Sequence, residues 1–105
     1  MFIFNVTTHV EHSAETQWLE WMNNVHLPDM IKTGKFNKAI LFKVITDQNE
    51  DQGGTSYAAQ YHCNDKSKYE AYLKEDAPLL RKEALEKFGT SILSFRTELE
   101  QIIAL

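Results

Sequence analysis

Residues 36–45 read FNKAILFKVI, residues 47–54 read DQNEDQGG, and residues 55–63 read TSYAAQYHC. The first stretch predicts a strand buried through most of its middle. The second is polar and ends in two glycines, which marks an exposed hairpin tip. The third alternates, with Tyr57, Ala59 and Tyr61 on one face and Ser56, Gln60 and His62 on the other. That is the pattern of a return strand with one covered side.

Working outward from this hairpin, each flank carries a helical pattern and then another strand. Upstream, residues 2–10 (FIFNVTTHV) place Phe2, Phe4, Val6 and Val10 on one side and Asn5, Thr7 and His9 on the other. Ser13 is a helix N-cap candidate, with Glu15 in the first turn where the helix dipole favours an acid. Trp18, Met22 and Val25 follow at helical spacing, flanked by Leu19 and Trp21. Pro28 disfavours a helical Leu27 and removes a backbone donor, so a kink or break is expected near His26 and Leu27. Gly34 is the C-terminal stop. Downstream, Asn64 or Asp65 caps a second helix whose stripe is Tyr69, Tyr72 and Leu73. Pro78 interrupts it, Leu80, Ala84, Leu85 and Phe88 carry it on, and Gly89 ends it. Residues 91–100 (SILSFRTELE) alternate Leu93, Phe95 and Leu99 against Ser94, Arg96 and Glu98, a fourth strand.

The order is β-α-β-β-α-β. It predicts an α+β, ferredoxin-like sandwich: a four-stranded antiparallel sheet with two helices on one face, spanning residues 1–105 as one domain. A chain of 105 residues is too short to support two cores. Helices on one side leave the other side of the sheet bare. That face is expected to carry Asn5, Thr7, His9, Ser56, Gln60, His62, Ser94 and Arg96, mixed with apolar groups from residues 36–45. Symmetric pairing with a second copy is the commonest way to cover such a face, so a homodimer is expected.

Composition narrows the partners. The net charge of −4 argues against nucleic acid, which requires a cationic footprint. The single cysteine, Cys63, cannot form an internal disulfide. The start MFIFN has no basic leader, and no apolar run approaches the ~20 residues of a membrane span. A cytoplasmic protein with no membrane partner is expected. No cofactor is expected either, since no glycine-rich phosphate loop precedes a helix and no paired-cysteine loop is present. No metal site is expected, because His9, His26 and His62 are dispersed and a metal requires three or four converging ligands.

Two residues are candidates for chemistry. His26 lies at the proline-disrupted helix, where its ordinary near-neutral pKa suits acid–base work or ligand binding; the alternative is a histidine serving the helix end alone. Arg96 could clamp a carboxylate, or form an ion pair across the dimer. Asn5, Thr7, His9, Gln60 and Arg96 together form a candidate ligand-binding set, with a wet interface as the plainer reading. Trp18 and Trp21 are expected in the core or a cavity wall. Cys63 is expected to be a buried apolar group.

Several stretches taken together carry a resemblance. These are WLEWM (18–22), HLP (26–28), TGKF (33–36), GTSY (54–57), QY (60–61), APLLR (77–81), FG (88–89) and FRT (95–97). The chain resembles a family of small bacterial proteins known as a domain of unknown function, of the dimeric α/β-barrel superfamily. The resemblance implies two facing ferredoxin-like sheets around a cavity. Relatives in that superfamily include cofactor-free monooxygenases, haem-degrading enzymes, lactone isomerases and binding proteins. It implies the fold and the dimer but no activity. Two functions therefore stand. One is a homodimeric small-molecule-binding or regulatory module. The other is a cofactor-free monooxygenase- or isomerase-like enzyme, with His26 as proton shuttle and Arg96 and Asn5 as orienting groups.

Overall fold

Phe4 sits at the centre of an aromatic cluster, with ring centroids 4.9 Å from Tyr69, 5.6 Å from Tyr72, 5.9 Å from Tyr61 and 6.3 Å from Phe36. The cluster welds sheet to helices in the computed structural model, which describes residues 1–46 and 53–105. The strands are β1 (Phe2–Glu11), β2 (Lys38–Lys43), β3 (Gly54–Cys63) and β4 (Ile92–Glu100). They form one antiparallel sheet in the order β2-β3-β1-β4. The helices are α1 (Glu15–Trp21), α2 (Leu27–Lys32), α3 (Lys66–Glu75) and α4 (Ala77–Phe88). This is the expected ferredoxin-like α+β arrangement, with each helical crossover divided in two. β2 is shorter than residues 36–45 and only half-buried, as suits an edge strand. Of the expected hairpin tip, residues 47–52 lie outside the described residues.

Each division has a proline behind it. Pro28 lies in the first turn of α2, and between α1 and α2 the residues Met22–His26 form a π-helical turn in which the Leu27 amide donates to the Met22 carbonyl. A proline at position 28 has no N–H for the Asn24 carbonyl, and its ring would press on that carbonyl in α register. A wider turn relieves both problems without breaking the helix. The expected kink is thus a π turn, and His26 is its last residue. Pro78 lies in the first turn of α4, where its missing N–H costs nothing.

The ends follow simpler rules. Asp65 caps α3, accepting from the Ser67 and Lys68 amides. Gly34 follows α2 at φ 78° and Gly89 follows α4 at φ 54°. Ser13 is not the N-cap expected of it. It lies inside a 3-10 turn over His12–Ala14, and α1 begins without a side-chain cap.

Pairing register sets the two faces. On β1 and β3, Phe2, Phe4, Val10, Tyr57, Ala59 and Tyr61 are buried under the helices. Asn5, Thr7, His9, Ser56, Gln60 and His62 face the other way, opposite one another as Asn5 with Gln60 and His9 with Ser56. β4 corrects the sequence reading. Thr8 pairs with Ser94, Val6 with Arg96 and Phe4 with Glu98, so Ser94 and Arg96 lie on the helix side. Leu93, Phe95 and Leu99 lie on the open face, where they are 74%, 62% and 39% exposed. The alternation was legible, but its phase is the reverse of that expected, because a one-residue shift exchanges every side chain between faces.

Candidate functional site

A cavity of about 310 Å³ opens between the sheet and the helices. Its floor comes from β1, β3 and β4, through Phe4, Ala59 and Arg96 among others. Its walls come from α1, the π turn and α4. The lining is mostly apolar and aromatic, with Trp18, Trp21 and Tyr72 prominent. Sites for small molecules have this composition, with a few polar groups placed among apolar walls.

His26 is held in that wall by the π turn. Its ring stacks on Trp21 at 4.8 Å and 22°, and meets Tyr61 edge-on at 6.4 Å. Burial drives its pKa down to about 4, against a smaller opposing pull from Asp29. The imidazole is therefore neutral at physiological pH, not near-neutral in pKa as the sequence suggested. Its Nδ1 is closed off from solvent and, among the described residues, has no hydrogen-bond partner. A buried polar atom left unsatisfied costs about 1–3 kcal/mol of stability.

The charged groups in the lining are Arg81 from α4 and Arg96 from β4, both exposed at the mouth. Among the described residues neither makes a hydrogen bond or an ion pair. Both guanidiniums act to lower the pKa of Tyr69 and of Tyr72, so both lie within electrostatic reach of the same two phenols. Burial outweighs them at Tyr72, whose pKa is pushed up to about 12. Thr8 and Ser94 also line the cavity and share a hydrogen bond of 2.8 Å.

The structure therefore divides the residues singled out from sequence. His26 and Arg96 share the cavity, while Asn5, Thr7, His9 and Gln60 lie on the opposite face of the sheet. There Asn5 Nδ2 donates to Thr7 Oγ1 at 3.1 Å, and His9 Nδ1 meets Ser56 Oγ at 3.2 Å. His62 shares that face, and among the described residues its buried Nε2 has no partner. The five-residue ligand set cannot act as one site, since Arg96 is separated from the other four by the sheet. Arg81 was missed, although it stands one position past Leu80 on the helical stripe that continues through Ala84, Leu85 and Phe88, close enough to border the apolar face. Among the described residues no three potential metal ligands converge. Cys63 is buried and its thiol reaches the Phe2 carbonyl at 3.6 Å.

A second polar cluster lies at the far end of β3. Tyr57 donates to Glu15 at 2.5 Å and Thr55 donates to the same carboxylate at 3.5 Å. The Tyr57 bond chiefly holds the Glu15 carboxyl below its ordinary range, and burial with that carboxylate pushes Tyr57 up to about 12. The pair ties the start of α1 to β3.

The model of a domain of unknown function, DUF4286, matches residues 1–102. The chain belongs to this family. This DUF4286 protein also shares its fold with solved structures. One is a dimeric ferredoxin-like protein from an uncultured marine organism, at a TM-score of 0.75 and 12% identity over 99% of this chain and 97% of that one. A second dimeric ferredoxin-like protein of the same description gives 0.68 and 12%, covering 100% and 98%. An ethyl tert-butyl ether degradation family protein from Bacillus halodurans gives 0.68 and 14%, covering 97% and 100%. At these identities the likeness establishes the fold of the DUF4286 chain and nothing finer. No curated protein matches its sequence.

Proposed function

We propose that this DUF4286 protein is a cytoplasmic homodimer in which each protomer binds a small organic molecule between its helices and its sheet. The observation that carries the reading is the cavity itself, with its apolar and aromatic walls and the exposed guanidiniums of Arg81 and Arg96 in its lining. The dimer is supported by the apolar side chains on the open sheet face and by the dimeric state of two proteins of like fold. A binding role is favoured over proton transfer by the environment of His26. A group with a pKa of about 4 is a weak base at neutral pH, whereas general bases work best with pKa values near the operating pH.

Trp18 and Trp21 are the only tryptophans in the chain and both line the cavity, so intrinsic fluorescence reports on it directly. Titration with 4-methylphenol, a neutral ring small enough to enter, is expected to change the emission saturably. The same titration of Ala84→Phe, which fills part of the cavity, is expected to show a much weaker response. A flat titration of the wild-type protein into the millimolar range would reject the reading.

A further inference from the structure

The cavity is asymmetric in charge. Among the described residues its lining includes two arginines and no aspartate or glutamate, in a chain whose net charge is −4. Glu98 shares the helix side of β4 and acts on Tyr69, Asp76 acts on Tyr72 and Asp29 acts on His26, but among the described residues none of the three pairs with either arginine. The guanidiniums are therefore the charges that the lining itself presents. Guanidinium groups without partners, beside an apolar cavity, suit a planar oxyanion that accepts hydrogen bonds from both.

The interior adds a second requirement. The walls are largely apolar and aromatic, with Trp18, Trp21 and Tyr72 among them. A molecule that suits the lining therefore has two parts: an anionic end and a flat apolar body. We propose that the ligand is an aromatic carboxylic acid, its carboxylate held by Arg81 and Arg96 at the mouth and its ring set among the aromatic walls. This inference rests on the cavity's being a binding site and adds the chemical class of its ligand. Aromatic rather than aliphatic acids are favoured because Trp18, Trp21 and Tyr72 offer ring faces and edges.

The test compares 4-hydroxyphenylacetate with its neutral amide, which has the same ring and hydroxyl, by tryptophan fluorescence and by calorimetry on the full-length dimer. The acid is expected to bind at least about tenfold tighter than the amide, the difference one good charge-assisted contact supplies. Arg81→Gln and Arg96→Gln should each reduce the acid's affinity toward that of the amide, by a larger factor than they reduce the amide's own. Octanoate should bind more weakly than the aromatic acid. Equal affinity for acid and amide, or an acid preference that survives both substitutions, would overturn the inference while leaving the cavity reading intact. Binding of octanoate as tight as that of the aromatic acid would replace the aromatic class with a fatty acid. If acid, amide and 4-methylphenol all fail to bind, both the inference and the reading beneath it fall.

Discussion

At the scale of the residue, His26 couples folding to pH. Stacked on Trp21 and largely buried, it can enter the folded protein only as a neutral ring, and its pKa falls from the ordinary 6.5 to about 4. The unfolded chain therefore binds a proton that the folded chain rejects throughout that interval. Stability should be complete above pH 6.5 and decline as the pH falls toward 4, by a contribution on the order of 3 kcal/mol. Glu15 and Asp65, whose carboxyls are held below their ordinary range, lose their contributions only in the carboxylate range below this. Urea unfolding at a series of pH values should show the decline in the wild-type protein. His26→Phe, which keeps a flat ring on Trp21, should remove most of the slope between pH 6.5 and 5. An unchanged slope in the variant would mean that His26 protonates freely in the fold. A histidine two residues before a proline was visible in the sequence as an oddity. Its neutrality was not, because that depends on Trp21 and Tyr61, which only the tertiary fold brings against it.

At the scale of the element, the chain shows which local signals survive folding. Strand existence was legible because period-two patterns in residues 2–10 and 55–63 place their aromatics on a single side. The phase of β4 was not legible. Apolar side chains normally turn toward the core, and Leu93, Phe95 and Leu99 turn away from it, so the rule that served β1 failed on the edge strand. Pro28 announced a disturbance, but a π turn and a kink have the same sequence signature. Glycines show the same contrast between local and tertiary causes. At Gly34, φ is 78° and an added Cβ would meet nothing within 4 Å, so alanine there costs only backbone strain, roughly 1–2 kcal/mol. At Gly54 an added Cβ would lie 2.1 Å from the Val10 carbonyl oxygen, a backbone atom in the neighbouring strand that cannot turn aside. Gly54→Ala should therefore cost more, about 3 kcal/mol, by prising apart the end of the β1–β3 pairing. Thermal unfolding of the two variants should rank Gly54→Ala below Gly34→Ala in melting temperature. The opposite order would show that the strand end yields easily.

At the scale of the whole molecule, the two faces of the sheet divide the work. The helix side encloses the cavity, and the open side presents Phe42, Leu93, Phe95 and Leu99 around a strip of Asn5, Thr7, Gln60 and His62. Apolar groups flanking a polar centre suit a self-complementary contact, because a two-fold axis lays each copy's polar strip on the other's. A four-strand face measures roughly 19 by 30 Å from strand spacing and rise. That flat area, about 570 Å² by the same spacing and rise, is roughly 70% of the ~800 Å² per partner of a standard stable interface. β4 makes the division testable within two adjacent residues. Phe95 is on the open face, 62% exposed, so Phe95→Glu should leave the protomer folded but place a charge inside the twin-sheet contact. Arg96 is on the helix side, so Arg96→Gln should leave the contact untouched. Light scattering at micromolar concentration should give twice the 12.2 kDa chain mass for the wild-type protein and for Arg96→Gln, and the single chain mass for Phe95→Glu. A wild-type monomer would dispose of the dimer altogether. Loss of the dimer in Arg96→Gln with retention in Phe95→Glu would place the second copy on the helix side, across the mouth of the cavity, and would make the arginines interface groups instead of ligand groups.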